Sequence, residues 1–271
     1  MSKVLVDGLA IAESPRWHDG RLWLANWGTG EVLAVGLDGE REVMARVPAQ
    51  TLPFSIDWLP DGTLLVVAGG KLWRQAADGE LVATADLAEI ANEIVVDGRG
   101  YVYVNGGSSD FSEPGVVLVV PPDGPPRQVA DGIEFGNGMA VTADGTTLIV
   151  AESFGCRLTA FDLEPDGSLA NRRVWADLGD GHPDGICLDA EGAVWYADVP
   201  AQRCVRVREG GEVLQTVDLD RGGFACMLGG PEGDTLFILA AEWHGFENFS
   251  TEDRTGQVLT ARGPSPHAGK P

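Results

Sequence analysis

A turn followed by a short β-rich run recurs six times along this chain, and that repeat constrains the fold more than any other feature. The copies are Asp19–Asn26, Asp61–Ala68, Gly98–Asn105, Asp144–Ala151, Glu191–Asp198 and Glu232–Ala240. Their marker glycines, Gly20, Gly62, Gly100, Gly145, Gly192 and Gly233, lie 42, 38, 45, 47 and 41 residues apart. A second β-rich run follows each copy: Glu31–Val35, Lys71–Arg74, Val116–Val120, Arg157–Phe161, Cys204–Val207 and Gln257–Thr260. Short β-branched runs parted by acidic-Gly and Gly-Gly turns read as antiparallel strands. Asp86–Asn92 is the one helix-like segment, two turns at most. A sandwich would not keep this period, and an α/β fold would need crossover helices between the strands. The pattern predicts an all-β, six-bladed β-propeller with four-stranded antiparallel blades. Lys3–Asp7 and Gln257–Thr260 are expected to complete one blade from both termini. Residues 1–262 then form one domain, and the polar, Pro-rich segment 263–271 is expected to be a flexible tail.

Composition narrows the function. Among 271 residues, 41 Asp and Glu face 19 Lys and Arg, a formal net charge of −22. Bulk electrostatics will not hold such a chain to nucleic acid or to an anionic membrane. Hydrophobic residues make up 44%, enough to offset the entropy of ordering the chain. Residues 1–12 carry one Lys and no apolar core, so they read as neither a signal peptide nor an anchor. Cys156, Cys187, Cys204 and Cys226 lack CxxC spacing and read as reduced thiols of a cytoplasmic protein. The oligomeric state is not legible.

In a propeller the innermost strand of each blade lines a central channel, so equivalent positions converge near the axis. Seven or eight residues before the marker glycines stand Glu13, Asn92, Asn137 and Asp184. The second and sixth units hold Phe54 and Ala225 at this phase. Two carboxylates and two carboxamides make an all-oxygen donor set of charge −2, suited to a hard cation such as Ca²⁺, Mg²⁺ or Mn²⁺. No His or Cys shares the phase, which disfavours a closed structural zinc site. Two readings fit: a site for one divalent cation, and a water-filled polar channel whose Asn and Asp groups cap the blades.

The local motifs are Glu13-Ser-Pro-Arg-Trp17, Gly136-Asn-Gly-Met-Ala140, His182-Pro-Asp-Gly-Ile186 and Phe224-Ala-Cys-Met-Leu-Gly-Gly230. Their flanking Gly and Pro are expected to shape tight turns that aim the polar groups. In this order, from Leu9 to about Glu242, they resemble the gluconolactonase/regucalcin/luciferin-regenerating-enzyme-like family. The resemblance implies a six-bladed propeller with one catalytic divalent cation in the channel mouth, calcium foremost, with magnesium, manganese and zinc as further candidates. It maps the metal ligands to Glu13, Asn92, Asn137 and Asp184; of these, Asp184 and Asn92 are the candidate catalytic residues. It also implies hydrolysis of lactones, with organophosphates as substrates of some relatives.

Two departures bear on the substrate. The family commonly has Asn-Asp where this chain has Asn92-Glu93, and its sugar-lactonases carry Arg where this chain has Ile90. The expected substrate is therefore a small-molecule lactone or ester less polar than a sugar lactone. Asp184 is the candidate general base. His182 stands two residues before it as a candidate shuttle or substrate contact, or as a turn histidine. Trp17, Trp27, Ile90, Glu93, Phe135, His182 and Trp243 are the candidate pocket residues, with Phe54 and Phe224 as further aromatic candidates. The segments 105–115 and 242–255 read as rim loops. No Gly-x-Ser-x-Gly elbow is present, so serine hydrolysis is disfavoured. Phosphotriester hydrolysis at the same metal and a non-catalytic cation-binding propeller are the alternatives.

Overall fold

The computed structural model describes residues 2–48, 52–87, 90–108, 113–248, 250 and 252–271, with Ile90 described in its main chain alone. Six antiparallel sheets follow one another along the chain, and no α-helix occurs among the described residues. The innermost strands are Ala12–His18, Phe54–Trp58, Ile90–Val96, Gly136–Val141, Pro183–Asp189 and Gly222–Gly229. Each touches the next, and the last touches the first, so they close a ring around a central channel. This is the six-bladed propeller that the repeat predicts.

The second strands are mainly apolar through their middles because both of their faces pack on neighbouring blades. Leu64–Ala68 and Val194–Asp198 are buried at every position. The core is accordingly distributed between blades. Ala140, Ile149, Ile186, Leu188 and Tyr196, for example, join the fourth blade to the fifth. Fully burying one such aliphatic side chain contributes about 1.5–3 kcal/mol. The outermost strands, such as Leu81–Asp86 and Val213–Asp218, are half exposed.

The ring closes as expected from both termini. Lys3–Leu9 is the outer strand of the sixth blade and pairs with Gly256–Arg262, Lys3 opposite Thr260 and Leu9 opposite Gly256. Two expectations are corrected. Over 86–92 the described residues are strand ends and a connection, Leu81–Asp86 and Ile90–Val96, rather than a helix. The segment 263–271 is docked instead of loose. His267–Ala268 pairs with Leu188 and Asp189 on the inner edge of the fifth blade, and Lys270 exchanges two backbone hydrogen bonds with Val141. These contacts lie at the turn end of the inner strands, so the tail docks at that end of the channel. No helix among the described residues is long and apolar enough to cross a membrane.

Candidate active site

The opposite end of the channel opens into a cavity of about 730 Å³. Glu13, Asn92, Asn137 and Asp184 all line it, each from a different innermost strand. Strand irregularities explain how they come to face it. The pairing register shifts between Glu13 and Arg16, Ala91 and Ile94, Gly136 and Met139, and Pro183 and Ile186. A β-bulge re-aims the side chain it carries, and all four polar residues sit at one. In the second blade, Phe54–Trp58 pairs without a shift, and Phe54 is fully buried.

The glycines of the site motifs serve close approach between strands, not the tight turns expected of them. A Cβ on Gly138 would lie 2.5 Å from the Ile186 nitrogen and 2.7 Å from the Asp184 oxygen. A Cβ on Gly185 would lie 2.4 Å from the Ala225 Cβ. The fourth, fifth and sixth inner strands are thus stacked through Gly138, Gly185 and Ala225. This close stacking explains why the sixth unit carries Ala at the polar phase.

The donor groups are oriented by main-chain contacts. The Asn92 side-chain amide donates to Gly136 O at 3.1 Å, leaving its carbonyl oxygen available to the cavity. Asn137 Nδ2 donates to Ser153 Oγ at 3.4 Å, and Ser153 Oγ donates to Pro183 O at 2.6 Å. One oxygen of Glu13 accepts the Ser14 N–H at 3.1 Å. Asp184 Oδ1 is buried and has no hydrogen-bond partner among the described residues. Burial, Glu93 and Asp198 push the proton affinity of Asp184 well above the ordinary carboxylate range, partly opposed by the neighbouring Asn137 side chain and Gly185 backbone. Burial, Asp184 and Glu93 do the same to Glu13. A buried orphaned carboxylate oxygen beside a second strained carboxylate is a site that lacks positive charge. The donor set therefore fits a hard divalent cation. Among the described residues no cluster of three His, Cys, Asp or Glu could hold a metal, so the carboxamides are needed to complete such a site.

The predicted pocket residues divide. Trp27, Phe135, His182 and Trp243 line the cavity, as does Phe224. Trp17 does not: it stacks on Phe237 at 5.4 Å and lies across Gly229, where a Cβ would come within 2.6 Å of its ring. It is a core residue between the first and sixth blades. Glu93 is also off the cavity wall. It is buried deeper in the channel, accepting from Ser14 Oγ at 3.1 Å and from Arg16 at 3.0 Å. The side chain of Ile90 lies outside what the structure describes. His182 Nδ1 lies 3.0 Å from Ser153 O and 3.6 Å from Cys156 Sγ.

Several residues of the site escape a sequence reading. Phe154 and Phe246 line the cavity, and Asn105 is bonded to two of the strands that carry the donors. Asn105, fully buried, accepts the Glu93 N–H at 3.2 Å and donates to Asn137 O, tying two donor-bearing strands together. A signal for Asn105 existed. Three second strands end in buried polar residues, Asn26, Glu152 and Asp198, and a fourth carries Asn105 two residues before its end, which is a second polar phase of the repeat. Each braces a loop at the mouth: Asn26 accepts the Ala10 N–H at 2.9 Å, Glu152 the Glu134 N–H at 2.8 Å, and Asp198 the Ala201 N–H at 3.2 Å.

Residues 11–242 match the model of the SMP-30/Gluconolactonase/LRE-like region. The chain belongs to that family. Regucalcin of Oryctolagus cuniculus is 24% identical over 265 residues, covering 88% of this chain and 85% of that protein. Regucalcin of Xenopus laevis is 33% identical over 117 residues, 41% of this chain and 39% of that protein. Alignments with the more identical regucalcins thus span about two fifths of their length. Among solved structures, a luciferin-regenerating enzyme superposes with a TM-score of 0.83 at 18% identity, covering 99% of this chain and 98% of that one. A calcium-binding regucalcin of Agrobacterium tumefaciens gives 0.81 at 19%, covering 99% and 97%. A gluconolactonase of Xanthomonas campestris gives 0.77 at 22%, covering 96% and 89%. At these identities the structures speak to the fold. Membership of the family is consistent with lactone hydrolysis and with calcium binding.

Proposed function

We propose that this protein hydrolyses a lactone or related carboxylic ester, using one divalent cation, calcium first, held by Glu13, Asn92, Asn137 and Asp184. The observation that carries this reading is the buried, unpartnered Asp184 Oδ1 at the floor of the cavity, with Glu13 and two fixed carboxamides on equivalent strands. The family's gluconolactonase member supports the substrate class, and the calcium-binding regucalcin supports the ion. When bound, the cation polarises the substrate carbonyl and stabilises the charge that develops on its oxygen.

The chain's own groups do the rest. Asp184 takes a proton from the attacking water as the water oxygen bonds to the carbonyl carbon. The ring C–O bond then breaks, the departing alkoxide is protonated, and the hydroxy acid leaves as its carboxylate with one proton released to solvent. Asn92, held by Gly136 O, orients the carbonyl, and Glu13, held by the Ser14 N–H, keeps its remaining oxygen in the donor set. The apolar wall limits water near these groups, so their charges act at low dielectric.

A panel of lactones, aryl esters and one phosphotriester, assayed with EDTA and after re-addition of single metals, tests this reading. Turnover of lactones that EDTA abolishes and calcium restores is the expected result. Metal analysis of the wild type beside Glu13→Ala and Asp184→Ala, which each remove a donor outright, adds the ligand assignment, with about one ion per chain falling to none. Bound metal without turnover of any substrate would replace the hydrolase with a cation-binding propeller. Turnover of the phosphotriester alone would replace the substrate class.

A further inference from the structure

Four aromatic rings form an arch over the mouth of the cavity. Phe135 precedes the inner strand of the fourth blade and Phe154 follows its second strand, while Trp243 and Phe246 follow the second strand of the sixth. Phe135 meets Phe154 at 4.6 Å and Phe246 at 6.2 Å, Phe154 meets Phe246 at 6.4 Å, and Phe246 meets Trp243 edge-to-face at 5.0 Å. The contacts therefore bridge the fourth and sixth blades across the fifth, whose inner strand carries Asp184. Phe224 extends the network, 5.9 Å from Trp243.

Two observations set this arch apart from ordinary packing. Phe135 adopts φ 56°, a left-handed conformation that is a genuine outlier for a bulky residue. Its neighbours hold it there: Ser153 N–H donates to Phe135 O at 3.0 Å, and Phe154 N–H donates to Glu134 O at 3.1 Å. Phe154 and Phe246, meanwhile, are 50% and 58% exposed at the edge of the cavity they line. The charge of the lining points the same way. Among the described residues no Lys or Arg lines the cavity, and Glu113 stands at its wall, while Glu134 is paired with Arg157 at 3.4 Å. A carboxylate on the substrate, away from the cation, finds no Lys or Arg on the described wall to pair with. Ser108 Oγ, buried without a hydrogen-bond partner among the described residues, supplies a single polar handle on the third blade. A ring bearing several hydroxyl groups needs many more.

We infer that the arch of Phe135, Phe154, Phe246 and Trp243 is the specificity element of this enzyme, and that it selects an uncharged lactone or ester bearing an aromatic or comparably large apolar group. This inference rests on the hydrolase reading and assigns its substrate class. The substrate's apolar group stacks in the arch while its carbonyl faces the floor, and the polyhydroxylated lactones lose both contributions.

The calcium-loaded protein and its Phe154→Ala, Phe246→Ala double variant are compared on three substrates: dihydrocoumarin, an unfused polyhydroxylated six-membered lactone, and an aryl ester bearing a carboxylate. Wild type is expected to favour dihydrocoumarin by about a hundredfold in kcat/KM. The double variant is expected to narrow that preference about tenfold, through KM, with Phe154→Leu, Phe246→Leu restoring part of it. Equal losses on all three substrates, or a wild type that prefers the polyhydroxylated lactone, would overturn the inference. Binding of 2-tetralone, followed by tryptophan fluorescence, separates this from failure of the hydrolase reading. Should no ester turn over, tight binding of the ketone weakened about tenfold in the double variant keeps the arch and removes the hydrolase. Hydrolysis with no such preference keeps the hydrolase and removes the arch.

Discussion

The two ends of the central channel are built from the same six strands and treat charge in opposite ways. Toward the tail end, carboxylates have cations. Glu93 is bonded to Arg16 at 3.0 Å, and Arg16 also donates to Ile94 O at 2.6 Å and lies 3.9 Å from Asp57. Asp57 accepts the Val96 N–H at 2.7 Å and has Lys270 of the docked tail in electrostatic range. At the mouth, no Lys or Arg among the described residues lines the cavity; Arg16 offsets only part of the rise at Glu13, and the proton affinities of Glu13 and Asp184 stay well above the ordinary carboxylate range. Burial raises Asp57 too, although Arg16 offsets part of that rise. Buried carboxylates in a folded chain are tolerated when paired and costly when not. The difference teaches where the fold maintains stability and where it reserves a place for something else.

The contrast can be broken most sharply at Asp184. Asp184→Asn keeps the shape and an oxygen donor but removes the proton acceptor, and kcat is expected to fall by about 10³-fold with metal retained. Steady-state kinetics beside metal analysis checks this, and full activity in the variant would remove the base role. Next comes the paired end. Arg16→Met leaves Glu93 buried without its partner and is expected to lower stability by about 3–5 kcal/mol, read by urea unfolding. An equal loss from the Arg16→Met, Glu93→Gln double variant would show that the pair is not the cause.

The third test concerns pH. Glu13 and Asp184 are raised above ordinary values of 4.5 and 3.8, so the metal-free folded chain holds protons that the unfolded chain has released. Between those ordinary values and the raised ones, stability of the metal-free protein falls as pH rises. A cation needs the deprotonated groups, so stabilisation by calcium grows across the same window, reaching about 2.7 kcal/mol at a hundredfold excess over Kd. Thermal melts with calcium and with EDTA at a series of pH values measure both slopes. A calcium effect that shrinks as pH rises would contradict the ligand assignment. The smallest effect is expected at the tail. Deleting residues 267–271 removes a few edge hydrogen bonds and should cost about 1–2 kcal/mol in unfolding, with kcat/KM unchanged. A loss of turnover would mean that the two ends are coupled.

Much of this was legible in the repeat. Marker glycines, strand halves and the closing pair of termini all follow from local turn chemistry and alternation, which act over a few residues. That Glu13, Asn92, Asn137 and Asp184 would face one cavity was legible for the same reason: a fixed offset from a turn becomes a fixed height in a ring. Phe154 and Phe246 were not, because their meeting depends on loops of two blades reaching across a third. Trp17 was misread because proximity to a motif says nothing about which face of a bulged strand a side chain takes. Glu93, next to Asn92, likewise turns toward Arg16 once the bulge separates their directions. The tail looked loose because its composition is polar, whereas the open inner edges of Pro183–Asp189 and Gly136–Val141 offer its backbone partners.

By itself, then, the sequence determined the number of blades, the order of strands and the height at which polar groups enter the channel, since these depend on periodicity and turns. The tertiary structure alone decided which of those groups would go unpaired, which aromatic rings would arch over them and where the chain's end would dock. Those outcomes depend on distances between blades, and no local pattern encodes them.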